Sequence, residues 1–168
     1  DFDDFLHVLV NHPCDGCEIV KIEIEDAFGD YPDFKIIQST ESDRAFMVPP
    51  DLSICQKCGE ELDHISNRRF RNPFISCMSC GPRYTIMEEL PYDRHTTTMT
   101  DFAMCPHCQK EYASPGNRRF HAQTISCNDC GPYLMLGDLK NEEALRKGAE
   151  ILKSGGILAV KGIGGYHF

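Results

Sequence analysis

Two copies of one cysteine frame, C-x2-C-x18-C-x2-C, constrain this chain more than any other feature. Cys55, Cys58, Cys77 and Cys80 make the first copy; Cys105, Cys108, Cys127 and Cys130 make the second. The copies are offset by 50 residues. Asp51 maps onto Asp101, Asn67-Arg68-Arg69-Phe70 onto Asn117-Arg118-Arg119-Phe120, and Cys80-Gly81-Pro82 onto Cys130-Gly131-Pro132. Of the 32 aligned positions from 51 to 82, 14 are identical, which marks an internal duplication.

Such a frame is built for a soft metal ion. Zinc takes four ligands in a tetrahedron, with sulfur at about 2.3 Å. A C-x2-C turn points two sulfurs the same way, and the Gly-Pro after each second pair suits a tight turn. The competing explanations are buried free thiols or disulfides. The chain shows no secretion signal, and its ten cysteines come as five C-x2-C pairs, which favours metal. Four thiolates leave no coordination position for water, so the expected role is structural. Sequential pairing would place Cys55, Cys58, Cys77 and Cys80 on one ion and Cys105, Cys108, Cys127 and Cys130 on another. Interleaved pairing would join the first pair to the last. The identical x18 loops favour the sequential scheme. His64, His107 and His121 are superfluous as ligands and read as surface or packing residues.

The repeated Asn-Arg-Arg-Phe admits two readings. In one, the arginines offset negatively charged zinc–thiolate centres while Phe70 and Phe120 fill a small core. In the other, Arg68, Arg69, Arg71, Arg118 and Arg119 form a contact surface for RNA or protein. The charge distribution favours the first. The net charge of −9 lies in residues 1–50, whereas residues 51–135 carry −1 and residues 136–168 carry +1. No segment has the basic excess of a nucleic-acid footprint.

Around the duplication the chain reads as mixed helix and strand. Phe2, Phe5, Leu6 and Leu9 share one helical face, ended by His12-Pro13. Residues 18–25 alternate as a half-buried strand, and Phe34 with Ile36 begins a second. Cys14-x2-Cys17 lies between helix and strand and receives no assigned role. Residues 39–46 read as a linker, and residues 83–100, rich in Thr and containing Pro91, join the two cysteine units. Asn141 is placed to cap a helix bearing Glu142 and Glu143 in its first turn, with Leu145, Ala149 and Leu152 on one face. Ile157–Val160 reads as a short buried strand. Lys161-Gly162-Ile163-Gly164-Gly165 follows, where backbone amides and a lysine could meet a phosphate, or where the glycines could simply make a turn.

Taken together these residues resemble the HypF carbamoyltransferase family of [NiFe]-hydrogenase maturation. The resemblance rests on the double cysteine frame, the Asn-Arg-Arg-Phe in each loop, Leu90-Pro91-Tyr92-Asp93-Arg94 with Thr97-Thr98-Met99 between the units, and Lys161-Gly-Ile-Gly-Gly-Tyr-His. It implies an α+β chain that is a segment of a longer protein. Residues 1–46 would be the end of a ferredoxin-like acylphosphatase domain, without its catalytic loops. Residues 50–83 and 100–133 would be two four-cysteine zinc fingers, and residues 136–168 the start of a YrdC-like domain. Lys161, Gly162, Gly164, Gly165 and His167 match the family's strand-end motif near its nucleotide pocket. The implied reaction uses carbamoyl phosphate and ATP and delivers a carbamoyl group to a HypE-like acceptor protein, in the cytoplasm. The segment itself is expected to bind two structural zinc ions and to lack the complete activity. The alternative is a stand-alone zinc module for RNA or protein.

Overall fold

The computed structural model describes residues 1–13, 19–26, 28–29 and 49–168. It divides into two compact units at residues 42 and 43, each treated by itself.

In the first unit, helix α1 spans Phe2–Asn11. Asp1 caps it, accepting the Asp4 amide at 2.9 Å, and Asp4 reaches back in a capping box. Phe2, Phe5 and Val8 stay more than half exposed. The strand expected over 18–25 does not form. Residues 19–26 carry no regular structure, and Val20 is 81 % exposed. Alternation alone does not hold a strand, because its backbone groups need a partner ladder, and none pairs with it among the described residues. Cys14, Cys17, the strand expected from Phe34 and the whole linker at 39–46 lie outside the described residues, as does all of 30–48.

The second unit is built on the duplication. Helix α2 (Gln56–Asp63) and helix α3 (Pro106–Tyr112) each begin directly after the first cysteine of their frame. Each is followed by a loop that returns through the second cysteine pair. Asn67 and Asn117 shape these loops identically, their side-chain oxygens accepting the amides of Arg69 and Arg119 at 2.9 Å. Arg71 and His121 then turn left-handed, at φ 54° and 53°, and donate their amides back to the last turns of the helices, at Leu62 O and Tyr112 O. Ile75 packs with the first cysteine set and Leu62. Ile125 and Ala122 pack with the second set and Tyr112. Phe70 and Phe120 are only half-buried and belong to neither core, contrary to expectation. The cores are so small that the thiols themselves are their centre.

The segment joining the two cysteine frames is more than a spacer. Short 3-10 turns at Tyr84–Ile86, Arg94–Thr96 and Thr98–Asp101 fold it into a third core of Phe74, Ile86 and Met99, with Phe102 against it. Arg83 donates to Cys77 O at 2.8 Å and Met78 O at 2.9 Å, clamping the first finger. Arg94 donates to Gln123 O at 2.7 Å and Ile125 O at 2.9 Å, clamping the second.

Beyond Pro132, β1 (Met135–Leu136) pairs antiparallel with β2 (Leu139–Lys140), and helix α4 spans Asn141–Lys153. Asn141 is not a side-chain cap. It is the first helical residue, at φ 46°, with Lys140 at the N-cap position. The buried face of α4 is Ala144 and Gly148 rather than the leucine face expected, because the small side chains admit Leu158; a Cβ on Gly148 would meet Leu158 Cδ1 at 3.2 Å. Leu145, Ala149 and Leu152 stay exposed and, together with Ala144 and Gly148, line an apolar trough of about 690 Å³ shared with Pro132 and Leu136. The last hairpin pairs β3 (Val160–Lys161) with β4 (Tyr166–His167). It replaces the buried strand expected at Ile157–Val160: Ile157 is 83 % exposed, with no further strand beside it among the described residues. No helix among the described residues is long and apolar enough to cross a membrane.

Candidate metal centres

Each cysteine frame closes on itself. The sulfurs of Cys55, Cys58, Cys77 and Cys80 all lie within 4.8 Å of one another, as do those of Cys105, Cys108, Cys127 and Cys130. The geometry therefore groups the thiols sequentially and not in the interleaved scheme. Neighbouring sulfurs stand 3.7 Å apart at Cys55–Cys77 and Cys77–Cys80. In the second set, Cys105–Cys127, Cys127–Cys130 and Cys130–Cys108 are 3.8, 3.7 and 3.6 Å apart. A tetrahedron with sulfur about 2.3 Å from its centre has edges of about 3.8 Å. A disulfide would need about 2.05 Å. The donor set thus fits one tetrahedral ion per finger, with no position left for water. His64 and His107 are exposed, His121 packs on Tyr112 and Phe120, and none joins either cluster.

Without a cation these thiols cannot all ionise. A hydrogen bond from the Cys58 thiol holds Cys77 down at about 4, and the same bond pushes Cys58 up, as does burial. At Cys105, burial pulls upward, but the Cys108 amide and the neighbouring thiols bring it down to about 7.

The arginines that donate directly to the sulfurs of each cluster come from the opposite finger. Arg68, in the first loop, donates to Cys127 Sγ at 2.9 Å, Cys105 Sγ at 3.2 Å and Cys108 Sγ at 3.3 Å. Arg118, in the second loop, donates through both terminal nitrogens to Cys58 Sγ at 3.2 Å. The next arginine of each pair is buried, Arg69 and Arg119 each being 2 % exposed. Arg69 donates to Glu111 at 2.5 Å and to Ser126 O at 2.8 Å; Arg119 donates to Glu61 at 2.5 Å and to Ser76 O at 2.9 Å. Burial alone would make these guanidiniums harder to protonate. For Arg68 the thiolates of Cys108 and Cys127 override it, and for Arg69 Glu111 does, so both stay raised. The arginines do offset the clusters, as the sequence suggested, but in trans. Glu61 and Glu111 were not singled out in the sequence. They are among the identities of the 50-residue repeat, three residues after Cys58 and Cys108, and that identity is the signal that could have found them.

Of the remaining candidates, Arg71 stays exposed and pairs with Glu142. Lys161, Gly162, Gly165 and His167 come together in the last hairpin. Gly162 N donates to Gly165 O at 2.7 Å, and Lys161 Nζ stands 6.0 Å above the Tyr166 ring. Lys161, Gly164 and His167 are exposed there.

Two four-thiol fingers with their arginines exchanged define the class: a pair of metal-binding, zinc-finger-like units. Comparison with known proteins narrows it. The HypF finger family matches residues 54–87 and 104–136, one copy over each frame. A probable carbamoyltransferase HypF of Methanocaldococcus jannaschii is 49 % identical over 99 % of this chain and 23 % of its own length. The carbamoyltransferase HypF of Synechocystis is 47 % identical over 82 % of this chain and 19 % of its own. A crystal structure of full-length HypF in a phosphate- and nucleotide-bound form superposes with a TM-score of 0.87 at 40 % identity, covering 99 % of this chain and 22 % of that one. The chain belongs to the HypF family, of which it represents a finger-bearing segment of α+β fold. It spans less than a quarter of the length of the relatives it matches.

Proposed function

We propose that the segment is the zinc-dependent scaffold of a carbamoyltransferase, holding two structural zinc ions, one on each four-cysteine set. The sulfur spacing carries this reading, because each set already has the edge length of a zinc–thiolate tetrahedron. Residues 1–46, 50–83, 100–133 and 136–168 then read as the acylphosphatase end, the two fingers and the start of the YrdC-like domain. The apolar trough beside α4 supports the last of these, being a surface that further α/β elements would cover. The relatives' names support carbamoyl transfer by the whole protein, and the phosphate- and nucleotide-bound state of one solved HypF supports a nucleotide substrate; on the family resemblance the donor is carbamoyl phosphate with ATP and the acceptor a HypE-like protein in hydrogenase maturation. In that protein Lys161, with the Gly162–Gly165 turn and His167, would meet the nucleotide. An RNA-binding module is less well supported, since Arg68, Arg69, Arg118 and Arg119 are engaged between the fingers and only Arg71 of the five is exposed.

Elemental analysis of protein purified without added metal should give two zinc ions per chain, and a strong chelator should collapse the amide spectrum of residues 51–132. A zinc content near zero, or an unchanged spectrum in chelator, would refute the reading. In the full-length protein, Lys161→Ala should lower ATP–pyrophosphate exchange without changing zinc content. Wild-type exchange would remove Lys161 from the nucleotide site.

A further inference from the structure

The exchanged arginines reach from each finger to the candidate metal site of the other. Arg118 and Arg119 lie in the loop that closes between Cys108 and Cys127, so an ion on the second set fixes the loop that presents them. Their targets are the first set: Arg118 on Cys58 Sγ, and Arg119 on Glu61 and on Ser76 O, the carbonyl that precedes Cys77. The relation is reciprocal. An ion on the first set fixes the loop carrying Arg68 and Arg69. These reach Cys105, Cys108 and Cys127, then Glu111, then Ser126 O before Cys127.

A four-thiolate zinc centre carries two net negative charges, and here the guanidinium that donates directly to its sulfurs comes from the loop of the other finger. Outer contacts of this kind tune metal affinity through charge and ligand orientation. A favourable interaction between two binding events acts equally in both directions. Resting on the zinc reading above, we propose that the two sites load as one positively cooperative unit, with Arg68 and Arg118 as positioning residues for the metal of the opposite finger. A half-loaded chain is then a minor species, and the fingers exist either closed with both ions or open with neither.

The test uses the 168-residue chain. Native mass spectrometry follows reduced, metal-free protein titrated with zinc. The one-ion species should stay well below its statistical share throughout. In Arg68→Ala and Arg118→Ala that species should rise towards the statistical share, with affinity for the second ion falling by about tenfold or more. Cadmium-113 NMR separates the direction. In Cys105→Ser/Cys108→Ser at saturating cadmium, high enough to fill the intact first set despite its weakened affinity, the resonance that is lost identifies the second site. Arg68→Ala should move that resonance and Arg118→Ala the other, Arg68→Lys should restore part of the change, and Arg71→Asn in the same loop should leave both in place. A statistical one-ion population in the wild-type protein would overturn the proposal, as would Arg68→Ala acting on the site of its own finger. Should the alanine variants fail to fold, the wild-type distribution decides alone. A protein that takes up neither zinc nor cadmium overturns the metal reading itself, an outcome distinct from independent loading.

Discussion

Replacing Glu111 by Gln removes one negative charge from the contact between the fingers and keeps the side chain's shape. Glu111 accepts from Arg69 at 2.5 and 3.2 Å and from Arg68 at 3.4 Å. Arg69 is 2 % exposed, whereas Glu111 keeps 23 % of its surface in water. Removing one partner of a fully buried ion pair costs about 3–5 kcal/mol, because the other charge is left uncompensated. An exposed pair is worth about 0–1 kcal/mol. The exposure of Glu111 lets water take over part of its task, and Gln still offers one acceptor, so the expected loss is about 2–3 kcal/mol. The assay is denaturant unfolding at fixed, saturating zinc, so that mass action of the metal is held constant. Glu61→Gln should match it within about 0.5 kcal/mol, since Arg119 repeats the geometry on the other side. In a double-mutant cycle, Arg69→Met with Glu111→Gln should show a coupling of about 1.5–3 kcal/mol. A loss below about 0.5 kcal/mol for Glu111→Gln would place the pair with ordinary surface ion pairs and refute the reasoning.

The turns after the second cysteine pairs should tolerate no side chain. A Cβ on Gly131 would lie 2.5 Å from Ser126 Cβ and 3.1 Å from Cys127 O, so Gly131→Ala should destabilise by about 1–3 kcal/mol in thermal melts of the zinc-loaded protein. Stability should also fall in acid through Glu61 and Glu111. Burial alone would raise both carboxyls, but the hydrogen bonds from Arg119 and Arg69 hold them below the ordinary 4.5. A carboxyl lowered on folding contributes fully above its unfolded value and loses that contribution as pH falls through the lower folded one. The wild-type advantage over Glu61→Gln/Glu111→Gln, measured by melting at each pH, should therefore be constant above about 5 and shrink below about 4.

How much of this was legible depended on the range of the interactions. The four-cysteine sets, the Gly-Pro turns and helix α1 follow from spacing and local geometry, and the structure forms all three. The strand expected at 18–25 has no partner among the described residues, and a period-2 pattern reports a face without supplying a neighbour. Its counterpart at Ile157–Val160 failed for the same reason, as a run of apolar residues does not say what covers it. Ala144 and Gly148 were missed because hydrophobic periodicity weighs leucines and overlooks small residues that allow close packing. The arginines were legible as charge compensation but not as exchange between fingers, since nothing local tells a loop which of two equivalent clusters it will meet.

That exchange also explains why both copies retain the same set of residues. Arg68, Arg69 and Glu61 in the first finger act on the second, and Arg118, Arg119 and Glu111 in the second act on the first, so the contact is isologous. A self-complementary surface of this kind is what a symmetric dimer presents. Within one chain it requires each copy to keep both halves of every pair, Arg and Glu alike. Where the contact is not reciprocal the copies diverge. Asn128 Nδ2 donates to Phe70 O at 2.9 Å, while at the matching position Met78 offers only its amide, to Arg118 O at 3.3 Å. Arg71 pairs with Glu142 outside the fingers, and its counterpart is His121, stacked on Tyr112. Identity between the copies thus covers the metal ligands, the exchanged contact and the loop-shaping Asn67 and Asn117, whereas Met78 and Asn128, and Arg71 and His121, outside a reciprocal pair, have diverged.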